Sequence, residues 1–361
     1  MSGRGEAGGG APARRASRPV RFRGVTVGGG APVSMQSMST LPAREVSGVL
    51  AEIADLRCAG CQIVRVAVTG EEDVEGLGRI AASSPIPVVA DIHFDYRLAV
   101  SSAAAGADGL RINPGNIGGE DRLSAVLDAA GEAGIPVRIG VNAGSLEKSL
   151  RETYRADPAK ALAESASSWA GAADRRGFEQ VVVSIKSSDP AVTVAANLLF
   201  APGSDLPLHI GLTEAGTGAA GAARSAAALT RMLTAGVGDT VRISLSGDPV
   251  EEVLAAGAML SALGLRDDIP RIVSCPTCGR CHIDVAFMAR RVERAIAGCG
   301  KGITVAVMGC EVNGPGEARE ADVGLAGSPR GPVLFRGGEI VGRIEGDPVD
   351  VLLAEIERLT G

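Results

Sequence analysis

The chain has few aromatic side chains, no long apolar run and no excess of positive charge. Aromatic residues make up 2% of its 361 residues, and the formal net charge is -6. Few aromatic rings leave few surfaces on which bases can stack, and a negative balance does not suit a protein that covers a phosphate backbone. Nucleic-acid binding is therefore disfavoured, and any anion site must be a local cluster of arginine and lysine.

Membrane and secretion signals are also lacking. No apolar run approaches the roughly 20 residues that span a bilayer, and the N-terminus has no apolar signal core. Residues 1–17 are mostly glycine, alanine and arginine, so we expect a disordered tail there. We expect a cytoplasmic protein whose seven cysteines are metal ligands, redox groups or core thiols rather than structural disulfides.

Between residues 18 and 263, short β-branched runs alternate with alanine-rich amphipathic segments. Eight such runs lie at 32–38, 62–68, 86–92, 109–113, 136–141, 181–186, 208–212 and 241–245. Because strand–helix alternation implies parallel pairing, eight units predict an α/β fold of the TIM type, a (β/α)8 barrel. The alternative is an open doubly wound sheet, but no GxGxxG motif follows the early runs.

The pattern changes after residue 263. A helical segment at 284–296 is followed by strand-like runs at 303–308, 323–326 and 333–335, and a last helical segment covers 349–359. Residues 264–361 are therefore predicted to form a second, small α+β domain.

Cationic side chains occur at the ends of five predicted barrel strands. They are Arg65, Arg111, Arg138, Lys186 and Arg242. Barrel enzymes build their sites where strands end, so these cations should converge on one mouth. Guanidinium groups match phosphate oxygens bidentately and lysine adds a point charge, which favours a bound diphosphate. The alternative is that each cation pairs with a nearby carboxylate for structure.

Three titratable side chains are predicted at the same mouth. Asp91 and His93 lie two residues apart, so both point to one face of a strand. They either exchange protons with a substrate or orient the arginines, and the sequence does not decide between these roles. Glu214 follows the seventh run, where we expect it to act in acid–base chemistry or to contact a substrate hydroxyl.

A cysteine constellation lies in the second domain. Cys275 and Cys278 form a CxxC turn, and Cys310 stands far along the chain on a glycine-rich turn. Three thiolates select zinc or an iron–sulfur cluster. In an iron–sulfur cluster the fourth iron would have a weaker ligand, for which the carboxylate of Glu317 is a candidate.

The other cysteines have less distinct patterns. A structural zinc would need a fourth ligand, which Cys281 or His282 could supply. Otherwise Cys281 and Cys299 are expected to be spare thiols near the site or at the surface. Cys58 and Cys61 form a second CxxC, but they lie at the end of a predicted barrel helix, where core packing is the expected use.

Longer motifs resemble one known family. They are PVSMQSM at 32–38, VRV at 64–66, ADIHF at 90–94, RINPGN at 111–116, RIGVN at 138–142, TEAG at 213–216, SCPTCGR at 274–280 and VMGCEVNGPGE at 307–317. The chain closely resembles the 4-hydroxy-3-methylbut-2-en-1-yl diphosphate synthases of the non-mevalonate isoprenoid pathway. The resemblance covers nearly everything after residue 17.

The resemblance implies an iron–sulfur oxidoreductase. It would reductively open 2-C-methyl-D-erythritol 2,4-cyclodiphosphate to 4-hydroxy-3-methylbut-2-enyl diphosphate, with electrons from flavodoxin or ferredoxin. The implied ligands of a [4Fe-4S] cluster are Cys275, Cys278, Cys310 and Glu317. The implied diphosphate-binding residues are the five cations together with Asn113, Asn142 and Ser244, while Asp91 and Glu214 would contact the substrate body.

The resemblance also implies an architecture. The barrel would be followed by a cluster domain similar to sulfite reductase, as in the two-domain bacterial type, and two subunits would form a homodimer. A cysteine at position 281 departs from the family's usual pattern. Two other functions stay open on the residues alone: an iron–sulfur carrier or redox sensor with a non-catalytic barrel, and a zinc-stapled barrel phosphatase or aldolase.

Overall fold

The computed structural model describes residues 11–310 and 318–361. Apart from residues 58–60, the chain divides between Leu265 and Arg266 into two compact units. The first contains an eight-stranded parallel sheet and the second a five-stranded mixed sheet. Within the described ranges, no helix has both the length and the hydropathy needed to cross a bilayer.

The first unit is a parallel barrel preceded by a hairpin. Its strands are β1 (Val20–Phe22), β2 (Val25–Val27), β3 (Ser34–Met38), β4 (Ile63–Ala67), β5 (Val88–Ile92), β6 (Gly109–Ile112), β7 (Val137–Asn142), β8 (Val181–Lys186), β9 (His209–Ile210) and β10 (Thr240–Val241). The parallel strands are ordered β8-β7-β6-β5-β4-β3-β10-β9, and a bridge from Val183 to Leu208 connects the two ends of this series. The predicted barrel is confirmed, and each predicted run overlaps one strand, although β9 and β10 are only two residues long.

Helices follow the strands and surround the barrel. They are α1 (Val46–Cys58), α2 (Glu71–Ser83), α3 (Tyr96–Ala104), α4 (Pro114–Ile117), α5 (Glu120–Ala133), α6 (Lys148–Thr153), α7 (Pro158–Arg175), α8 (Pro190–Phe200), α9 (Gly218–Thr234) and α10 (Pro249–Ala262). Three of them begin with an Asp-Pro pair whose aspartate accepts a hydrogen bond from the first turn, as Asp189 does from the Ala191 amide at 2.7 Å. An aspartate cap and a proline at the first helical position both favour a helix start.

The β1–β2 hairpin covers the end of the barrel at which the strands begin. Val20, Phe22 and Val27 form one buried cluster with the first residue of β4 and the second residues of β5 and β8. Phe22 also lies against Gly109, where an added Cβ would come within 2.8 Å of its ring. The hairpin therefore fills one end of the barrel with apolar side chains, a feature that the sequence pattern does not predict.

The segment before the hairpin also contacts the barrel. Arg14 forms a salt bridge with Asp239 at 2.9 Å, and the Ser17 hydroxyl donates to the same carboxylate at 2.8 Å. The Arg15 amide donates to the Gly236 carbonyl at 3.0 Å. The prediction of a disordered tail over residues 1–17 does not account for these contacts of residues 14–17.

The second unit packs two helices against a mixed sheet. Its elements are β11 (Arg271–Ser274), α11 (Val285–Ile296), β12 (Thr304–Met308), β13 (Val323–Ala326), β14 (Val333–Arg336), β15 (Glu339–Arg343) and α12 (Pro348–Thr360). Strands β11 to β13 are parallel and β13 to β15 antiparallel. The α+β composition agrees with the prediction, whereas β11 and β15 were not predicted.

Candidate functional site

Polar side chains point into the barrel near the ends of its strands. Because side chains alternate along a strand, every second residue faces inward. They line a cavity of about 190 Å³ whose lining is Met38, Arg65, Asp91, His93, Arg111, Arg138, Asn142, Ser184, Lys186, Leu212, Thr213, Arg242 and Ser244. We call Arg65, Arg111, Arg138, Lys186 and Arg242 the cation cup. All five cations that the sequence placed at strand ends line this one cavity.

Asp91 is the carboxylate at the centre of one half of the cup. It lies 3.4 Å from Nη1 of Arg65 and 3.0 Å from Nη1 of Arg111. His93 is half-exposed, with its Nε2 3.7 Å from the same carboxylate and 3.3 Å from Arg111. Both side chains line the cavity, as the two-residue spacing predicted, and both contact arginine.

The opposite half of the cup has no carboxylate partner among residues 11–310 and 318–361. Arg138 donates to Oε1 of Gln36 at 3.3 Å, and its Nε has no hydrogen-bond partner. The ammonium of Lys186 lies 3.2 Å from Nε2 of His209, a fully buried imidazole whose Nδ1 is also unpartnered. These buried cations are therefore held by neutral groups.

Two glycines leave room for the cations. A Cβ at Gly140 would come within 2.9 Å of Nε of Arg111, and a Cβ at Gly211 within 2.8 Å of Nζ of Lys186. Both positions face inward, where an alanine would displace the charged group. The cup therefore depends on the absence of side chains at these two strand positions.

Arg242 is held from outside the barrel sheet by Glu252 of α10. Its Nε and Nη2 donate to the two carboxylate oxygens at 3.0 and 3.2 Å. Glu252 is 2% exposed and also accepts from the Ser37 hydroxyl at 3.0 Å and the Leu245 amide at 2.8 Å. Four hydrogen bonds fix this carboxylate, and two of them hold the Arg242 guanidinium in place.

The electrostatics of the cup favour an anion. Burial lowers the pKa of Arg65 to about 9, and burial together with Arg65, Arg138 and Arg242 lowers the pKa of Lys186 well below its ordinary value. Burial alone would raise the pKa of Asp91, but Arg65, His93 and Arg111 hold it well below its usual range, so this carboxylate stays ionised. The cup thus contains more positive charge than Asp91 and Glu252 can balance, and a diphosphate would supply the missing negative charge.

The remaining predicted barrel residues lie in different positions. Asn142 and Ser244 line the cavity. Asn113 is 2% exposed, precedes α4 and donates to the Ser145 hydroxyl at 2.6 Å, outside the cavity lining. Glu214 directly follows the lining residue Thr213 but is itself exposed, with a positive φ of 55°. The structure therefore brings two of these four side chains to the cavity.

Cysteines gather at the carboxyl ends of two parallel strands of the second unit. Cys275 directly follows β11, and Cys310 lies two residues after its neighbour β12. The Gly309 amide donates to Sγ of Cys275 at 3.1 Å. Cys278 belongs to the same loop, and hydrogen bonds from Arg280 lower the pKa of its thiol. We call Cys275, Cys278, Cys281 and Cys310 the cysteine edge.

The donor set of the cysteine edge fits a metal–sulfur group. Soft thiolates on a turn with amide N–H···S bonds are the ligands of iron–sulfur clusters and of structural zinc. Among the described residues, no three or more histidine, cysteine, aspartate or glutamate side chains are already arranged to hold a metal ion. Glu317, the predicted fourth ligand, lies outside the described residues.

Cys61 of the second CxxC motif lies in a different environment from the cysteine edge. Cys61 is buried, and its thiol donates to the Ile63 carbonyl at 3.3 Å. Burial raises the pKa of this thiol to about 12, so it is protonated and unreactive at neutral pH. This environment agrees with the expected role of Cys61 in core packing, whereas the same expectation for Cys58 is wrong, because Cys58 is exposed.

Both units match domain models of one protein family. The GcpE TIM-barrel domain matches residues 17–257, and the GcpE C-terminal domain matches residues 271–358. The chain belongs to the GcpE family. The first match lies within the barrel unit and the second within the unit that contains the cysteine edge. The family relationship therefore covers both units.

Curated relatives from the GcpE family are similar over almost their whole length. The protein of Geobacter sulfurreducens is 50% identical over 95% of this chain and 98% of its own. Those of Maridesulfovibrio salexigens and Natranaerobius thermophilus are 48% and 47% identical, over 92% and 96% of this chain and 93% and 96% of their own. Each is named 4-hydroxy-3-methylbut-2-en-1-yl diphosphate synthase (flavodoxin).

Two buried side chains of this GcpE barrel were missed from sequence. His209 stands inside a β-branched run, so it resembled a core position, and only its two-residue spacing from Gly211 places it on the inner face. Glu252 lies on a helix with Glu251 beside it, and the sequence does not show which of the two faces the barrel. His209 contacts Lys186 and Glu252 contacts Arg242, and neither of the two belongs to a sequence motif.

Proposed function

We propose that this chain is a flavodoxin-dependent 4-hydroxy-3-methylbut-2-en-1-yl diphosphate synthase. The substrate would be 2-C-methyl-D-erythritol 2,4-cyclodiphosphate, a ring closed through its diphosphate. Two electrons and two protons would break a carbon–oxygen bond to that diphosphate and remove one hydroxyl as water. The product is the linear 4-hydroxy-3-methylbut-2-enyl diphosphate, which keeps both phosphates.

The observation that most supports this proposal is the cation cup. Five cations face one cavity, and Asp91 is the one carboxylate in its lining among the described residues. A cyclic diphosphate has the charge and the oxygen geometry to bind there bidentately. A barrel that binds a neutral substrate would not need five cations around one cavity.

Residues of the barrel mouth have distinct proposed roles. The cup, with Asn142 and Ser244, would bind the two phosphates, and Asn113 would join them by exchanging its hydrogen bond to Ser145 for one to a phosphate oxygen. Asp91 would keep Arg65 and Arg111 in position, since it contacts both, and His93 would contact the substrate body from the rim. Glu214 would supply a proton, because its carboxyl follows a residue that lines the cavity and remains accessible to solvent.

The cysteine edge would hold the redox group. Cys275, Cys278 and Cys310, with Glu317, would bind a [4Fe-4S] cluster. When bound, the cluster supplies single electrons and an iron position that can take an oxygen ligand. We also propose a cytoplasmic homodimer that takes its electrons from reduced flavodoxin, as the resemblance implies; ferredoxin is the alternative donor.

The proposal is tested with anaerobically prepared protein. Iron and sulfide analysis should give one [4Fe-4S] cluster per chain, and the cyclic diphosphate with reduced flavodoxin should yield the linear diphosphate by phosphorus NMR. Protein that contains only zinc would instead support a barrel phosphatase or aldolase with a structural zinc site. A cluster without turnover or diphosphate binding would support a carrier or redox sensor.

The Lys186 site predicts that anion binding takes up protons. Burial and the neighbouring arginines depress the pKa of Lys186 in the free protein, and a bound diphosphate should raise it again. Affinity for inorganic pyrophosphate should therefore fall as pH rises through the depressed pKa. Calorimetric titration at pH 8 in two buffers of different ionisation enthalpy should show net proton uptake.

Two substitutions check that Lys186 is the group concerned. Lys186→Met should weaken pyrophosphate binding and remove most of the uptake. Lys148→Met, at a side chain that is 90% exposed, should change neither quantity. Equal uptake in wild type and Lys186→Met would assign the proton to another group, such as pyrophosphate itself.

A further inference from the structure

His209 is a buried imidazole beside the cation cup that none of the proposed roles uses. It is the first residue of β9 and is fully buried, and its Nε2 lies 3.2 Å from Nζ of Lys186. Its Nδ1 is also buried and has no hydrogen-bond partner among the described residues. A buried polar atom without a partner costs free energy, so a polar ring at this position calls for a physical reason.

The side chain of Lys186 is confined beside this imidazole. It is 7% exposed, and His209 is the hydrogen-bond partner that the described part of the chain provides for it. A Cβ at Gly211 would come within 2.8 Å of Nζ, so glycine at this position lets the lysine lie against the ring. The hydrogen bond to His209 therefore holds Nζ of Lys186 in the cup.

The charged groups that act on His209 are all cations. They are Lys186 on β8, Arg138 on β7, Arg65 on β4 and Arg242 after β10. Burial and these four cations lower the pKa of His209 well below its ordinary value. The imidazole therefore stays neutral, with one N–H group and one nitrogen that can accept a hydrogen bond.

The charge of Lys186 then determines which imidazole nitrogen carries the hydrogen. An ammonium group has only donors, so it can bond to Nε2 only when the ring hydrogen is on Nδ1. A neutral amine has a lone pair and can accept from an Nε2–H group. Histidine can thus bond to Lys186 in either charge state without moving a heavy atom. A carboxylate in its place would pair with the ammonium permanently and cancel one charge of the cup.

We propose that His209 is a positioning residue that keeps Lys186 in place while the charge of the lysine follows the occupancy of the cup. In the empty cup, the neutral amine accepts from Nε2–H. When a polyanion binds, Nε2 gives its hydrogen to the amine and Nδ1 takes one from solvent, so that the ammonium donates to Nε2 and one proton enters overall. This inference rests on the proposed function, because it needs an anion in the cup.

The first test observes the ring of His209 in full-length wild-type protein that has been isolated anaerobically. Nitrogen-15 NMR of histidine-labelled protein at pH 8 distinguishes Nδ1–H from Nε2–H. The signal of His209 is recognised by its slow exchange with solvent, since His93 and His282 are exposed. We expect Nε2–H without inorganic pyrophosphate and Nδ1–H at saturating pyrophosphate. The same tautomer in both states, or a charged ring in either, would overturn the inference, and this measurement needs no variant.

The second test measures pyrophosphate affinity against pH by calorimetric titration. His209→Leu has a side chain of similar volume without hydrogen-bonding groups. Because hydrogen bonds to charged groups are stronger than those to neutral groups, the ammonium form of Lys186 loses more than the amine form. Affinity at pH 8 should therefore fall about tenfold, and its decline should begin at a lower pH than in the wild type. His209→Gln, whose amide both donates and accepts, should restore most of the affinity and the pH profile.

The control is Ser225→Ala, which removes a fully buried hydroxyl of α9 that has no partner among the described residues. Pyrophosphate affinity and its pH profile should be those of the wild type. An unshifted pH profile in His209→Leu would overturn the inference even if affinity fell, because lost packing alone lowers affinity without moving the profile. A wild type that binds no pyrophosphate would contradict the proposed function instead.

Discussion

Replacing Arg138 by methionine is expected to stabilise the substrate-free protein and to weaken its binding of a diphosphate. Arg138 is 2% exposed, and no salt bridge joins it to a carboxylate in the described parts of the chain. Burial and the neighbouring Arg65 and Arg111 depress its pKa, which means that the charged form is disfavoured where it stands. Methionine would remove this cost while filling a similar volume.

The expected gain in stability is smaller than the expected loss of binding free energy. Replacing buried charges with apolar groups gains about 1–4 kcal/mol, and loss of the bond to Gln36 offsets part of that, so we expect a net gain of about 1 kcal/mol. Loss of charge-assisted hydrogen bonds to phosphate costs about 1.5–3 kcal/mol, or about 10- to 100-fold in affinity. Thermal unfolding with and without inorganic pyrophosphate measures both.

The matched control is Arg175→Met. Arg175 is 62% exposed and pairs with Glu120 at 2.9 Å on the barrel surface, so its loss should change stability by less than about 0.5 kcal/mol and leave binding unaltered. If Arg138→Met melts lower than wild type and binds pyrophosphate equally well, Arg138 is a structural residue and the cup has been assigned wrongly.

Glu214→Gln is expected to lower turnover about 100- to 10,000-fold, the usual contribution of a general acid. The substitution keeps size and hydrogen-bonding capacity but removes the proton that the carboxyl can deliver. Because Glu214 is not part of the cup, pyrophosphate affinity should not change. Single-turnover measurements with the chemically reduced enzyme separate this step from electron delivery by flavodoxin, and Glu164→Gln, on an exposed site of α7, is the control.

The backbone at Glu214 permits a second comparison. Its φ of 55° lies in the left-handed region, which costs a residue other than glycine about 1–2 kcal/mol. Glu214→Gly should therefore unfold at a temperature no lower than wild type, yet be as inactive as Glu214→Gln. Full turnover in either variant would remove Glu214 from the proton-donor role and leave its strained conformation unexplained.

The parts of the fold that could be predicted are those with a local signal. Four of the six residues in the run 181–186 are β-branched, and this run forms a strand. The two-residue period placed Asp91 and His93 on one face, and both line the cavity. The β1–β2 hairpin was missed because each strand has three residues, too few to show alternation. Its stability comes from contacts with distant strands, which no local pattern contains.

The site residues that could be predicted are likewise those that have a local signal in the sequence. Charged residues at strand ends stand out against apolar runs, so the five cations were found. His209 and Glu252 were missed because their importance lies in partners 23 and 10 residues away, Lys186 and Arg242. Asn113 and Glu214 were placed at the correct strand ends, but neither is among the residues that line the cavity, because loop conformation, which the sequence does not specify, decides where each side chain lies.

The hairpin that fills one end of the barrel has a kinetic consequence. With Phe22 and its neighbours occupying that end, the described residues leave the carboxyl ends of the strands as the side from which the cup can be entered. Reactant and product of the proposed reaction would use the same entrance, and the proposed product still bears the diphosphate that the cup would bind. Turnover should therefore slow as product accumulates, in a manner that excess reactant reverses.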